Sequence, residues 1–297
     1  MAARILDGKA ISQEIRDELK VKVSALRKKG IIPGLGVLLV GDDPASRSYV
    51  TAKERACQET GIFSREIHLP ETATQQEILD VVKMFNDTPE INGILVQLPL
   101  PDSKMERSVI EAIRPDKDVD GFHPVNVGLA ALGLPAYIPC TPRGVQEILK
   151  RSGIKTDGAR VAIVGRSNIV GRPLMGLLSS KSEMGNATVT LCHTHTKNIG
   201  EVTKQADIII AAAGRPDTIT ADMVKEGAVV IDVGVNRIKD ATKKSGFRLV
   251  GDVDFSAVSQ KAAAITPVPG GVGPMTITML LSNTVDAAEL HHNAGMK

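Results

Sequence analysis

The chain contains no tryptophan, and aromatic residues fill only 2% of its 297 positions. That excludes a surface that grips single-stranded nucleic acid by stacking bases on rings. An excess of one charge is also missing, since 36 Lys and Arg against 34 Asp and Glu leave a formal +2. So balanced a chain has no broad field for a polyanion, and neither nucleic acid nor anionic membrane is expected as a partner. Cysteine is sparse: Cys57, Cys140 and Cys192 lie far apart with no CxxC pair. Their scatter fits buried thiols in a reducing compartment rather than a disulfide framework. Long apolar runs are absent too, and none approaches the roughly 20 residues that span a bilayer. The opening MAARILDGKAISQEI has no apolar core of the secretory kind. A globular protein of the cytoplasm is expected, or of an organelle reached by a route that the mature sequence hides.

What is present is an alternation of short β-rich runs with helical patterns, the mark of βαβ units on a parallel sheet. A length of 297 residues suggests two domains. In the first, an amphipathic helix near Lys9–Lys29 precedes strands at Leu35–Gly41, Phe63–Leu69 and Asn92–Leu98. Helices are expected between them at Ser48–Thr60 and Thr74–Asn86, the latter with Ile78, Val81, Val82 and Phe85 on one face. Proline and glycine crowd the stretch after a helix at Lys104–Arg114, which places the domain boundary near Pro139–Thr141. A helix at Arg143–Arg151 and strands at Arg160–Gly165, Ala187–Cys192, Asp207–Ala212 and Ala228–Val233 make up the second domain. The last pattern, Pro274–Leu290, reads as a helix with proline in its first position.

The segment RVAIVGRSNIVGRPLMGLL joins an apolar strand to a helix through a glycine turn. A backbone that must approach a phosphate needs positions without Cβ, which Gly165 and Gly171 supply, and the helix N-terminus offers free N–H groups. The spacing is G-x-S-x-x-x-G, a departure from the common dinucleotide fingerprint. An NAD site usually carries an acidic residue about 20 residues on, at the end of the next strand. Here that strand ends in His193-Thr194-His195, and Arg166 follows the first glycine directly. A cation in place of an acid favours the 2′-phosphate of NADP. His193 and His195 would share a face of an extended chain, but no third ligand stands near, so no metal is expected.

Polar residues interrupt the first domain where α/β chemistry usually sits, past the carboxyl ends of strands. Tyr49 and Lys53 are one turn apart on the helix after the first strand. Gln97 breaks the apolar strand end VQLPLP, and Asp118 and Asp120 stand in KDVDG. A lysine desolvated in a cleft can exchange protons near neutrality. Near the end, PVPGGVGP is a backbone-exposed loop that could press against a flat ligand or an anion.

Taken together, SYVTAKERACQETGI, GILVQLPLP, PDKDVDGFHPVNVG, PCTPRG, VGRSNIVGRP and ITPVPGGVGPMT resemble the bifunctional methylenetetrahydrofolate dehydrogenase/methenyltetrahydrofolate cyclohydrolase family. The resemblance covers nearly the whole chain. It implies oxidation of 5,10-methylenetetrahydrofolate by NADP and hydrolysis of the methenyl product to 10-formyltetrahydrofolate, within one-carbon metabolism and purine biosynthesis. It implies a two-domain α/β fold, with a folate-binding catalytic domain over residues 1–140 and a Rossmann-type NADP-binding domain over 141–274. Long helices would link the two, and a C-terminal helix over 275–297 would pack back on the first. A homodimer is implied as well.

By position, Lys53 would be the acid/base of the hydrolytic step and Tyr49 would stack on or orient the folate. Gln97 would tune Lys53, and Asp120 would hold the amidine-like edge of the pterin. Val50, Thr51, Ala52, Val96, Leu98 and the loop Pro269, Gly270, Gly271, Val272 and Gly273 would complete the folate side. Gly165, Arg166, Ser167, Ile169, Val170, Gly171, His193, Thr194 and Val235 would hold NADP. Many members of the family have His-Ser where this chain has His193-Thr194, which bears on cofactor affinity. Two other functions remain open: an NADP-dependent dehydrogenase of another small substrate, and a nucleotide-sensing module without catalysis.

Overall fold

The computed structural model describes residues 2–243 and 246–295. Strand β1 (Arg4–Ile5) and helix α1 (Gly8–Lys28) lead into β2 (Gly34–Val40), α2 (Pro44–Thr60), β3 (Phe63–Leu69), α3 (Gln75–Asp87), β4 (Gly93–Val96), α4 (Glu106–Ala112) and α5 (Pro124–Ala131). Then come α6 (Cys140–Arg151), β5 (Arg160–Val164), α7 (Gly171–Ser179), β6 (Thr188–Cys192), α8 (Ile199–Thr203), β7 (Ile208–Ala211) and β8 (Val229–Asp232). The chain ends through β9 (Asn236–Lys239), β10 (Phe247–Val250), α9 (Phe255–Val258), β11 (Ala264–Ile265) and α10 (Val272–Gly295). It divides into two units.

One unit comprises Gln13–Cys140 and the chain from Ile277 onward. Its sheet is parallel, in the order β3-β2-β4. The central strand β2 is buried along its whole length, as a sheet covered on both faces requires. On one face Leu38 and Val40 join Ile78, Val82, Phe85, Ile94 and Val109 in a core. Gly36 lies on that face because the Phe85 ring fills the space: a Cβ there would come 3.0 Å from the ring. Helix α3 starts on a capping box in which Thr74 and Glu77 bond each other's backbone N–H. Of its predicted apolar face, Ile78, Val82 and Phe85 are buried and Val81 is half-buried.

The other unit comprises Thr141–Thr276 and the segment ending at Ser12. Its six-stranded sheet has the order β1-β11-β8-β7-β5-β6, and every pairing is parallel. From β5 the chain steps outward to β6, then returns to the opposite side of β5 at β7. The switch point of the doubly wound sheet therefore falls between β5 and β7, where ligands of such sheets bind. Val164, Ile209, Val230 and Ile265 lie in one apolar cluster of this unit.

Some boundaries differ from the sequence expectation. The start of the chain was expected in the first domain, yet β1 pairs with β11 in the larger sheet. A two-residue strand carries no periodicity, so only its partner reveals it. Helix α2 begins at Pro44 rather than Ser48, because Asp43 accepts the Ser46 N–H and Pro44 takes the first helical position. Helix α10 begins at Val272, so Pro274 is its third residue and not its first, still in the turn where no intrahelical N–H partner is needed. Of the expected 275–297 helix, residues 296–297 lie outside those described.

Candidate active site

Helix α2 turns a stripe formed by Ser46, Val50, Lys53, Cys57 and Thr60 inward, and all of them are buried. Lys53 thus occupies a core-facing position and is 8% exposed. Its Nζ donates to Gln97 Oε1 at 2.8 Å, while Gln97 Nε2 donates to the Leu98 carbonyl at 2.7 Å. The Gln97 side chain is therefore fixed at the end of β4, just before the cis bond Leu98–Pro99. Burial holds Lys53 below the usual amine range, and the charge of Asp120 acts in the opposite sense. Asp120 is itself pushed up by burial, against the pull of Lys53 and of the Cys140 thiol.

Tyr49 lies one turn before Lys53 and is 37% exposed. The two do not present the same face equally: the lysine is sunk in the unit and the ring stands at its edge. Thr51 is exposed and Ala52 half-buried, and Val96 and Leu98 flank Gln97 as buried and half-buried neighbours.

Asp118 differs from Asp120, two residues on, in what it touches. Its carboxylate accepts the His123 N–H at 2.8 Å, the Phe122 N–H at 3.3 Å and Asn126 Nδ2 at 2.9 Å. Burial pushes it up to about 6. Before it, Lys117 donates to the carbonyls of Phe85, Asn86 and Thr88 at the end of α3, and its own carbonyl accepts the Ile94 N–H at 2.7 Å. Lys117 and Asp118 thus tie down the loop that carries Asp120. Sequence reading did not single out Lys117, although a lysine between two aspartates in a loop after a helix was the available signal.

In the other unit, Gly165 has φ +134° and a Cβ there would come 2.0 Å from the Ala212 carbonyl oxygen. A Cβ on Gly171 would come 1.9 Å from the Gly165 carbonyl oxygen. Both glycines are thus required by close backbone approach at the switch point. Ser167 Oγ accepts the Val170 N–H at 3.1 Å, closing the turn into α7. Arg166 and Ser167 are exposed, Val170 is half-buried, and Ile169 and Val235 are apolar residues 45% and 47% exposed.

Strand β6 stops at Cys192, so His193-Thr194-His195 form a turn and not the extended run expected. The reason is local: the His193 N–H donates to Thr196 Oγ1 at 2.9 Å, and the His195 N–H to His193 Nδ1 at 3.2 Å. Thr194 is exposed at the tip. Desolvation holds His193 below the usual imidazole range, and Arg166 and His195 act in the same sense. No group of three metal-ligating side chains occurs among the described residues. In the loop before α10, Val268–Pro269 is cis and Gly270 has φ +104°. Gly270's carbonyl accepts the Lys9 N–H at 2.9 Å, and a Cβ on Gly271 would come 2.5 Å from the Pro267 carbonyl oxygen.

A doubly wound parallel sheet with a glycine turn at its switch point, and a second α/β unit holding a buried lysine, define a two-unit α/β protein of the dinucleotide-binding class. The chain belongs to the tetrahydrofolate dehydrogenase/cyclohydrolase family: the model of that family's catalytic domain matches residues 6–120, and that of its NAD(P)-binding domain residues 139–292. Among curated relatives, a protein named bifunctional protein FolD from Dehalococcoides mccartyi is 57% identical over 97% of this chain and 98% of its own. Another of that name, from Syntrophus aciditrophicus, is 55% identical over 98% and 99%. Among solved structures, the bifunctional methylenetetrahydrofolate dehydrogenase/cyclohydrolase of Campylobacter jejuni has 51% identity and a TM-score of 0.91, covering 98% of this chain and 100% of its own. The Trypanosoma brucei enzyme, solved with NADP and an inhibitor, has 38% identity and a TM-score of 0.93, covering 98% and 99%.

Proposed function

We propose that the protein oxidises 5,10-methylenetetrahydrofolate with NADP and hydrolyses the methenyl product to 10-formyltetrahydrofolate. The observation that carries the reading is Lys53, buried, bonded to Gln97 at 2.8 Å and within the field of Asp120. An amine held below its usual range gives up and regains a proton more readily than one in water. Hydrolysis needs one group that does both. As water adds to the methenyl carbon, the neutral amine takes the proton. It then gives that proton to the ring nitrogen as the bond from that nitrogen to the former methenyl carbon breaks, and takes up the hydroxyl proton of the adduct as the formyl carbonyl forms, so that the net step releases one proton.

Gln97 fixes the amine's position, and Asp120, whose loop is anchored by Lys117 and Asp118, accepts from the amidine-like edge of the pterin. Tyr49, half out of the unit, has its ring free to stack on the folate. Bound NADP supplies the hydride acceptor. The residues of the glycine turn fit it: Gly165 and Gly171 leave backbone bare for the pyrophosphate, and exposed Arg166 follows with a cation for the 2′-phosphate. Thr194 adds a hydroxyl. Ile169 and Val235, apolar and exposed beyond the carboxyl ends of β5 and β8, offer surface for flat rings. The reading includes a homodimer in the cytoplasm, which rests on the family resemblance.

A spectrophotometric assay tests the reading. NADP reduction with methylenetetrahydrofolate, followed by loss of methenyl absorbance, is expected. Reduction without hydrolysis would favour a plain dehydrogenase, and NADP binding without either change would leave a sensing module.

A further inference from the structure

Asp232, the last residue of β8, and Asp252, just after β10, are two carboxylates that the sequence reading did not single out. Asp252 is 0% exposed and Asp232 is 3% exposed. Asp252 Oδ2 accepts the N–H groups of Ala213 and Gly214 at 2.6 and 2.8 Å, and its Oδ1 accepts Asn236 Nδ2 at 2.8 Å. Asp232 Oδ1 accepts the N–H groups of Gly234 and Asp252 at 3.0 and 2.9 Å, and its Oδ2 that of Val253 at 3.0 Å. The two side chains thus gather the backbone of three separate segments. The fit leaves no spare room, since a Cβ on Gly234 would come 2.1 Å from Asp252 Oδ1 and one on Gly251 1.8 Å from Asp232 Oδ2.

The loop gripped by Asp252 is the far wall of the switch-point crevice. Ala213 and Gly214 stand one residue past the end of β7 and are exposed, yet both turn their N–H groups inward to the carboxylate. Ala212, just before them, is the residue against which Gly165 of the glycine turn packs. Apolar side chains would close such a loop with less desolvation than two buried carboxylates. What carboxylates provide is a fixed direction for several N–H groups at once.

We propose that Asp252, with Asp232 behind it, is a positioning residue for the dinucleotide, holding the loops after β7 and β8 in the shape that receives the nicotinamide half of NADP. The inference rests on the NADP reading above. Asp232 supports Asp252 by fixing its backbone N–H, and Asn236 supports it from the opposite side.

The test uses the full-length protein with NADP as the probe. Asp252→Asn keeps the volume but turns an NH2 group toward one of the present donors. The KM and Kd for NADP are expected to rise about tenfold, as the loss of a charge-assisted hydrogen bond would produce. Methenyl hydrolysis by the same sample, assayed without NADP, should stay within about twofold of wild type. A general structural role would lower both activities together, and that outcome overturns the proposal, as does an unchanged NADP KM. Should Asp252→Asn not fold, Asn236→Ala removes one donor from the same carboxylate and should raise the NADP KM about threefold; no rise overturns the proposal. Titration of the wild type separates the two claims, because failure of the unaltered protein to bind NADP would remove the cofactor reading itself.

Discussion

The Lys53 amine and the Gln97 amide oxygen meet at 2.8 Å across the gap between α2 and the end of β4. Neither position is free to drift. Lys53 sits in the buried stripe of its helix, and Gln97 is pinned by its second bond to the Leu98 carbonyl.

Replacing Lys53 by methionine keeps the buried stem and removes the amine. Methenyl hydrolysis should fall by about 10²- to 10⁴-fold, the range of a lost acid/base group, while NADP binding persists. Single-turnover absorbance with methenyltetrahydrofolate measures the first and a cofactor titration the second. An unchanged hydrolysis rate would show that Lys53 has another role.

Asp120→Asn should act on the same amine through charge. The carboxylate raises Lys53 against the effect of burial, so its neutralisation lowers the amine further. The ionisation that governs hydrolysis is then expected at lower pH than in wild type. A pH–rate profile that keeps its position would separate Asp120 from Lys53.

Arg166→Ala should weaken NADP by about tenfold or more and leave NAD nearly untouched, since only NADP carries the 2′-phosphate. Parallel titrations with both nucleotides decide the point. Equal losses would assign Arg166 to the pyrophosphate or to the fold.

A methyl group at Gly171 has nowhere to go, because its Cβ would lie 1.9 Å from the Gly165 carbonyl oxygen. Gly171→Ala should shift the turn, lower stability by about 1–3 kcal/mol, and reduce NADP affinity. Thermal melts with and without NADP measure both, and an unaltered melt would contradict the geometry.

Burial pushes Asp118 and Asp232 up to about 6. The native protein therefore keeps these protons while the unfolded chain loses them near the ordinary carboxylate value of 3.8. Unfolding between those limits releases protons, so the contribution of these groups to stability falls as pH rises through the window. Each contributes on the order of 3 kcal/mol to that decline. At pH 5, Asp118→Asn should release fewer protons on unfolding than wild type, and calorimetry in buffers of different ionisation enthalpy can count them. Equal release would mean that Asp118 is not protonated in the native state.

Much of this protein is legible in its sequence. The apolar run of β2 and the period of α3 are local patterns set by which faces must leave water. Gly165 and Gly171 could be read as a phosphate-type turn because only a residue without Cβ meets that need. Other features had no local signal. Strand β1 is two residues long and exists only because β11 lies beside it. The His193–His195 run looked extended but turns, since Thr196 bonds the His193 backbone.

The same division holds within the functional groups. Sequence alone determined the candidates, Tyr49, Lys53, Gln97 and Asp120 on one side and the Arg166 turn on the other, together with the order of strands and helices that carries them. Tertiary structure decided which of two neighbouring aspartates is a tether and which acts on the lysine, and it brought Asp232 and Asp252 together beneath the crevice loops. Spacing along the chain cannot settle such matters. Desolvation and hydrogen bonding depend on what surrounds a carboxylate in space, and those neighbours come from distant segments.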